Sequence, residues 1–189
     1  KIHLLTLSET ERKDPQKRSE MLNSCDVAFL CLPDDAARQA VEMTTNEHVR
    51  IIDASTAHRT EPGWAYGLPE LDASFREKIA SAKRIAVPGC HASGFIALVY
   101  PLIREGFLSP DTALCCTSLT GYSGAGKKTI AVYENGERDP LLDAPRLYAL
   151  GQQHKHLKEM KAISGISLPP AFLPVIGDFY SGMLVSVPI

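Results

Sequence analysis

Short apolar runs alternate with amphipathic stretches through the first half of the chain. Residues 28–32 form one such run, stopped by Pro33, and Asp34 is placed to cap a helix over residues 36–41. Residues 50–53 read as the next strand, Asp72 as the cap of a helix over about residues 73–82, and residues 84–87 as a returning strand. After these, Phe95, Ile96, Leu98, Val99, Leu102 and Ile103 recur at the i, i+3, i+4, i+7 spacing of an amphipathic helix. Strands alternating with helices in this way predict right-handed parallel βαβ units, which bind ligands at the carboxyl ends of their strands. Pro33, Ser55 and Cys90 all fall at such ends. Beyond Cys90 the pattern loosens into a strand at residues 113–119, a helix over about residues 147–163 and strand-like runs that include residues 183–189. No internal repeat or low-complexity segment interrupts it.

Composition narrows the class without choosing a function. At 189 residues, 44% hydrophobic and 22% charged, the chain has enough apolar material for one large or two small domains. A net charge of −2 with no basic stripe argues against a nucleic-acid or anionic-membrane partner. The five cysteines, Cys25, Cys31, Cys90, Cys115 and Cys116, lack paired metal-ligand spacing, so neither a disulfide framework nor a zinc site is expected. A reducing, cytoplasmic setting fits them better. The sequence carries no secretory signal and no apolar run long enough to cross a bilayer.

The most informative stretch is Pro88-Gly89-Cys90-His91-Ala92-Ser93-Gly94, which places a thiol between the strand at residues 84–87 and the helix that follows. At a helix start, unpaired N–H groups and the positive end of the dipole favour a thiolate, the form of cysteine that attacks carbon, and can hold a developing oxyanion. The same turn is also compatible with a small buried thiol of no chemical consequence. Read as helical, His154 and His156 point to nearly opposite sides while His156 and Glu159 share a face. That favours His156 over His154 as a base oriented by the carboxylate; the alternative is a surface pair of Lys155 and Glu159 with both histidines in solvent. Asp53 is placed to organise the turn that follows it, and Arg59 is either solvated or an anion ligand. The segment Gly121-Tyr122-Ser123-Gly124-Ala125-Gly126-Lys127 satisfies G-x-x-x-x-G-K, but Lys128 stands where a P-loop needs Ser or Thr to ligate magnesium. No G-x-G-x-x-G turn for a dinucleotide pyrophosphate occurs.

The nucleophile turn is similar to that of N-acetyl-gamma-glutamyl-phosphate reductases, in the semialdehyde dehydrogenase superfamily. Four further blocks resemble that family in the same order: Asp53-Ala54-Ser55-Thr56-Ala57-His58-Arg59, Tyr66-Gly67-Leu68-Pro69-Glu70-Leu71, the Gly121 to Lys127 segment, and His154-Lys155-His156-Leu157-Lys158-Glu159-Met160. The block Phe172-Leu173-Pro174-Val175-Ile176-Gly177-Asp178-Phe179-Tyr180-Ser181-Gly182-Met183 resembles the shorter-chain branch. The turn departs from the family at His91-Ala92-Ser93, where Tyr-Pro-Thr is frequent.

The resemblance implies an α/β fold, with a partial doubly wound, Rossmann-like parallel sheet in residues 1–88 and an α+β catalytic and dimerisation domain in residues 89–189. It implies NADP as cofactor, a small acyl phosphate as substrate and a homo-oligomer in the cytoplasm. Cys90 becomes the nucleophile and His156 or His154 the acid and base. Arg59 and Glu159 are expected to meet substrate, and Pro33, Ser55, Ser123, Gly124 and Gly126 the cofactor. A glycine-rich loop ahead of Lys1 and a segment after Ile189 are expected in the longer protein. The remaining alternatives are an enzyme acting on aspartyl phosphate, a P-loop-like nucleotide-binding protein and a non-catalytic assembly module.

Overall fold

Four short strands, β1 (Val27–Leu30), β2 (Arg50–Asp53), β3 (Ala65–Tyr66) and β4 (Arg84–Ala86), pair in parallel in the order β1-β2-β4-β3. They belong to the first of two compact units, Lys1–Pro88 and Gly89–Ile189, in a computed structural model that describes residues 1–189. In β1 and β2 alternate residues are buried, as the pleat requires, so Ala28, Leu30 and Ile51 meet Ala40 and Val49 in one apolar core with Leu22, Val41 and Trp64 against it. The core is completed by α1 (Pro15–Ser24) and α2 (Asp34–Met43), which pack on each other, while α3 (Ala73–Ser81) packs by β3. Asp72 caps α3 by accepting from the Phe75 N–H, as its position predicts.

Two features of this unit depart from the sequence reading. The α1 helix starts at Pro15 behind Asp14, whose carboxylate accepts from the N–H groups of Gln16 and Lys17, yet none of its residues is fully buried, Leu22 only partly, so its apolar period is faint. Asp34 does not cap α2: Pro33 is the cap residue, and the Asp34 carboxylate reaches across to the N–H and hydroxyl of Thr56.

In the second unit β5 (Cys115–Gly121), β6 (Arg146–Leu147), β7 (Ala171–Gly177) and β8 (Met183–Ser186) form a mixed sheet in the order β6-β7-β5-β8. The β5 and β7 strands run parallel, and β6 and β8 are antiparallel to their neighbours. Its helices are α4 (Cys90–Arg104), α5 (Lys127–Tyr133) and α6 (His156–Ser164), and α4 packs against α6 and β8. The α4 helix buries Ala92, Phe95, Ile96 and Val99, whereas Leu98, assigned by its spacing to the same face, is exposed.

The helix expected over residues 147–163 is shorter. Its N-terminal part is replaced by β6 and an irregular loop in which Ala149 and Gln152 adopt positive φ, of 51° and 55°. The Gln152 amide there takes the place of a strand neighbour, donating to the Phe172 carbonyl at 2.8 Å and accepting from the Phe172 N–H at 2.7 Å. No helix is long and apolar enough to cross a membrane. The architecture is the expected one, a Rossmann-like parallel sheet with helices together with a second α/β domain.

Candidate active site

Gly89 caps α4 and Cys90 is its first residue. No side chain caps this end, so the first-turn N–H groups face whatever lies at the thiol. The turn is anchored from α6: the Gly89 N–H donates to Glu159 Oε2 at 3.0 Å, and Glu159 is 1% exposed. The other carboxylate oxygen stands 3.9 Å from His156 Nε2, an ionic separation rather than a hydrogen bond. His156 and Glu159 therefore share a face as their i, i+3 spacing predicts, and both are buried, which removes the surface pair of Lys155 and Glu159 as an account of this segment.

His154 does not point away from His156. The α6 helix begins only at His156, so the 100° step between residues does not apply to His154, and the two rings lie 4.6 Å apart, edge to face. His154 Nδ1 accepts the His156 N–H at 3.2 Å, the work of a capping side chain, and burial followed by the Lys155 charge holds its pKa below the ordinary value.

Cys90 is exposed and opens on a hollow of about 340 Å³ lined by Gly94, Ala97, Leu98, Met183 and Val185. Glycine at 94 permits this wall, since a Cβ there would come 2.5 Å from Val185 Cγ2. The next residue, His91, is by contrast buried, its Nδ1 2.7 Å from Ser118 Oγ and its Nε2 2.8 Å from Tyr148 Oη. The rings of His154, His156 and Phe172 surround it at 5.4–5.7 Å. Ser118 and Tyr148 were not among the residues singled out from the sequence; the one available signal was His91 itself, the departure within the turn.

In the first unit Asp53 organises its turn as expected. It is fully buried and accepts from the Ser55 N–H, the Ser55 hydroxyl and His58 Nδ1 at 3.0, 2.7 and 2.7 Å. Trp64 stacks on the His58 ring at 4.1 Å. The Ser55 hydroxyl is thus turned inward, whereas Pro33 is exposed beyond the end of β1. The Arg59 guanidinium is held in one orientation by Nε on the Val87 carbonyl at 2.9 Å and Nη2 on the Ala54 carbonyl at 3.3 Å.

The glycine segment of the second unit leaves β5 at Gly121, makes a 3-10 turn over Tyr122–Ala125 and enters α5 through Gly126 at φ +89°, a conformation that favours glycine. The N–H groups of Gly121, Tyr122, Ser123 and Gly126 all donate to protein carbonyls, so they are not the free cradle a P-loop presents to phosphate. Gly124 and Gly126 are exposed, and nothing lies within 4 Å of the position a Gly126 Cβ would take, which suits the approach of a flat ring.

A Cβ on Gly121 would meet the Phe179 and Tyr180 carbonyl oxygens at 2.6 and 2.7 Å, the same oxygens that hold the bend. Gly121→Ala is expected to cost about 1–3 kcal/mol by overpacking. Gly124→Ala, whose Cβ would meet only Thr120 Oγ1 at 3.3 Å, costs less. Urea unfolding of the two variants checks the order, and equal midpoints would show that the loop 178–182 yields freely.

Two family models cover the chain: the semialdehyde dehydrogenase NAD binding domain over residues 4–82 and the semialdehyde dehydrogenase dimerisation domain over residues 90–189. Among curated proteins, the chain is 48% identical over 190 residues to N-acetyl-gamma-glutamyl-phosphate reductase 2 of Pseudomonas putida and 46% identical over 192 residues to that of Nostoc sp.. In both cases 100% of this chain is matched, and it spans 60% of the relative's length. Among solved structures, aspartate semialdehyde dehydrogenase with NADP from Candida albicans aligns with a TM-score of 0.62 at 18% identity, over 98% of this chain and 57% of that one. The enzyme of the same name from Francisella tularensis gives 0.65 at 14% identity, over 89% of this chain and 59% of that one. The structural likeness shows the shared fold, and the two models, the second of which opens at Cys90, settle the wider kinship: the chain belongs to the semialdehyde dehydrogenase family.

Proposed function

We propose that this protein reduces N-acetyl-glutamyl 5-phosphate to N-acetylglutamate 5-semialdehyde with release of phosphate, as a step of arginine biosynthesis, working as a cytoplasmic homo-oligomer. The names of its relatives at 46% and 48% identity support the substrate. The observation that carries the chemistry is Cys90 exposed at the first residue of α4, in a turn tied through Gly89 to Glu159 and so to His156.

In this reading the Cys90 sulfur attacks the acyl carbon, a C–S bond forms, the C–O bond to phosphate breaks, and first-turn N–H groups hold the carbonyl oxygen while it is negative. A bound NADPH supplies the hydride that reduces the thioester. The sulfur then departs as the aldehyde forms, with His156 moving the proton and Glu159 fixing both that imidazole and the turn. Glu159 acts here through other groups rather than on the substrate. Arg59 holds the anionic end of the substrate. Pro33 in the first unit, and Ser123, Gly124 and Gly126 in the second, are the residues offered to the cofactor, whereas Ser55, expected among them, gives its N–H and hydroxyl to Asp53 and shapes that turn from within; the open space at Gly126 fits the flat nicotinamide. Residues 1–88 then serve as part of a dinucleotide-binding domain and residues 89–189 as the catalytic domain.

Incubation with the acyl phosphate in the absence of nicotinamide tests the proposal. The expected product is one acyl adduct per chain, mapped by mass to Cys90, with one equivalent of phosphate released; no adduct and no phosphate would reject it. NADPH rather than NADH is expected to discharge the adduct to aldehyde, and aspartyl phosphate is expected to load poorly.

Arg59→Lys keeps the charge but loses the planar fork. Losing one charge-assisted hydrogen bond should raise KM about tenfold with kcat little changed. Steady-state kinetics on the full-length protein decide this, and a loss confined to kcat would place Arg59 outside ground-state substrate binding.

A further inference from the structure

Residues 178–182, between β7 and β8, are all exposed, so burial does not fix them. Yet their carbonyls carry the glycine bend: those of Phe179, Tyr180 and Gly182 accept from the N–H groups of Tyr122, Ser123 and Gly121 at 2.9, 3.0 and 3.1 Å. Arg138 supplies the anchor. It stands 40 positions ahead of Asp178, and its Nη1 and Nη2 donate to the two Asp178 carboxylate oxygens at 2.8 and 2.6 Å, the paired geometry of a guanidinium on a carboxylate. Nη1 also donates to the Tyr133 carbonyl at 3.1 Å, and Nη2 to Asp143 Oδ1 at 2.6 Å. Tyr133, the last residue of α5, is buried, so the guanidinium is tied to a fixed point of the core. The same residue steadies the bend from its other side, where the Tyr122 ring stacks on the Tyr133 ring at 4.7 Å.

We infer that Arg138 is a positioning residue for hydride transfer, which through Asp178 holds the 178–182 loop and with it the glycine bend offered to the nicotinamide. The inference rests on the use of that bend proposed above. The Arg138 and Asp178 side chains are 26% and 27% exposed, so water screens the pair less than it does a fully exposed one. The third carboxylate on the guanidinium, Asp143, is 64% exposed and lies outside the loop, which makes it a control for the clamp. A lysine in place of Arg138 keeps the charge but carries it as a point, so it cannot hold both Asp178 oxygens in the plane that a guanidinium offers. The bend is then free to shift, and a reacting geometry loses rate steeply with displacements of about 1 Å. Acylation of Cys90 is insensitive to this shift, because the nicotinamide takes no part in it.

Two measurements on the full-length protein test this. With Cys90 already acylated and NADPH saturating, Arg138→Lys and Asp178→Asn should each slow hydride transfer about tenfold, while acylation and phosphate release before NADPH is added stay within about twofold of normal. A general loss of structure would slow both steps together. The double variant should be no slower than the slower single one, since the two side chains act as one clamp, and Asp143→Asn should leave both steps within about twofold. Amide hydrogen exchange is then followed in the same variants. The N–H groups of Tyr122 and Ser123 should exchange about tenfold faster or more in Arg138→Lys, with the ladder between β5 and β7 unchanged. Multiplicative losses, equal slowing of the two steps, unchanged exchange, or faster exchange without slower hydride transfer overturn the inference. A wild-type protein that never acylates Cys90 rejects the proposed function instead, and the exchange rates then decide alone whether Arg138 holds the bend.

Discussion

Cys90→Ser is expected to lower turnover on the order of 10⁴-fold or more, in line with removal of the nucleophile from a covalent catalyst. The change is small in volume and falls on an exposed first helical residue, so the unfolding midpoint should hardly move. Sulfur matters for two reasons. A serine hydroxyl stays protonated near neutral pH, so it attacks the acyl phosphate poorly, and the oxygen ester it would form accepts hydride less readily than a thioester. The other cysteines are poorly placed to substitute. Cys116 is buried and its thiol is pushed up to about 12, by burial and then by Cys115, while burial raises Cys25. Cys31 alone shares the exposure of Cys90. Single-turnover assays with mass mapping of the acyl adduct measure the effect. Near-normal turnover in Cys90→Ser, with the adduct on Cys31, would move the nucleophile to the other unit and remove the helix-start argument.

Local signals carried the parallel sheet. Strand β2 falls on the residues its apolar run marks, Asp72 caps α3, and Asp53 organises its turn, because each depends on neighbours within a few positions. The α1 helix offers little apolar period because none of its residues is fully buried, although Asp14 ahead of Pro15 is a start signal written in the chain. The start of α6 falls later than its apolar period suggests for a tertiary reason: Gln152 pairs with Phe172, twenty positions away, and that bond competes with helix. The same limit applies to the site. Cys90 and the Glu159–His156 face were legible from spacing. The hydroxyl partners of His91 lie 27 and 57 positions along the chain and leave no mark near it.

His156→Asn is expected to slow turnover about 10²–10⁴-fold, the usual worth of a general acid or base, while His154→Asn stays within a few-fold of normal. The two rings touch instead of facing opposite ways, so what separates them is the bond each already makes. His154 Nδ1 accepts the His156 N–H at the start of α6, and an asparagine oxygen can accept the same bond, as asparagine does at many helix starts. The depressed pKa of His154, from burial and then Lys155, keeps its ring neutral near pH 7, as the capping bond requires. His156 has instead the Glu159 carboxylate 3.9 Å from Nε2, with that carboxylate bound to the N–H of the residue before Cys90, so a cation formed on His156 is opposed by a charge fixed to the nucleophile turn. The assay should separate acylation from aldehyde release, because a proton carrier is needed where the thiohemiacetal forms and collapses. If His154→Asn is the slow variant and His156→Asn is near normal, the roles are reversed, and the capping bond is then a resting state that His154 leaves during turnover.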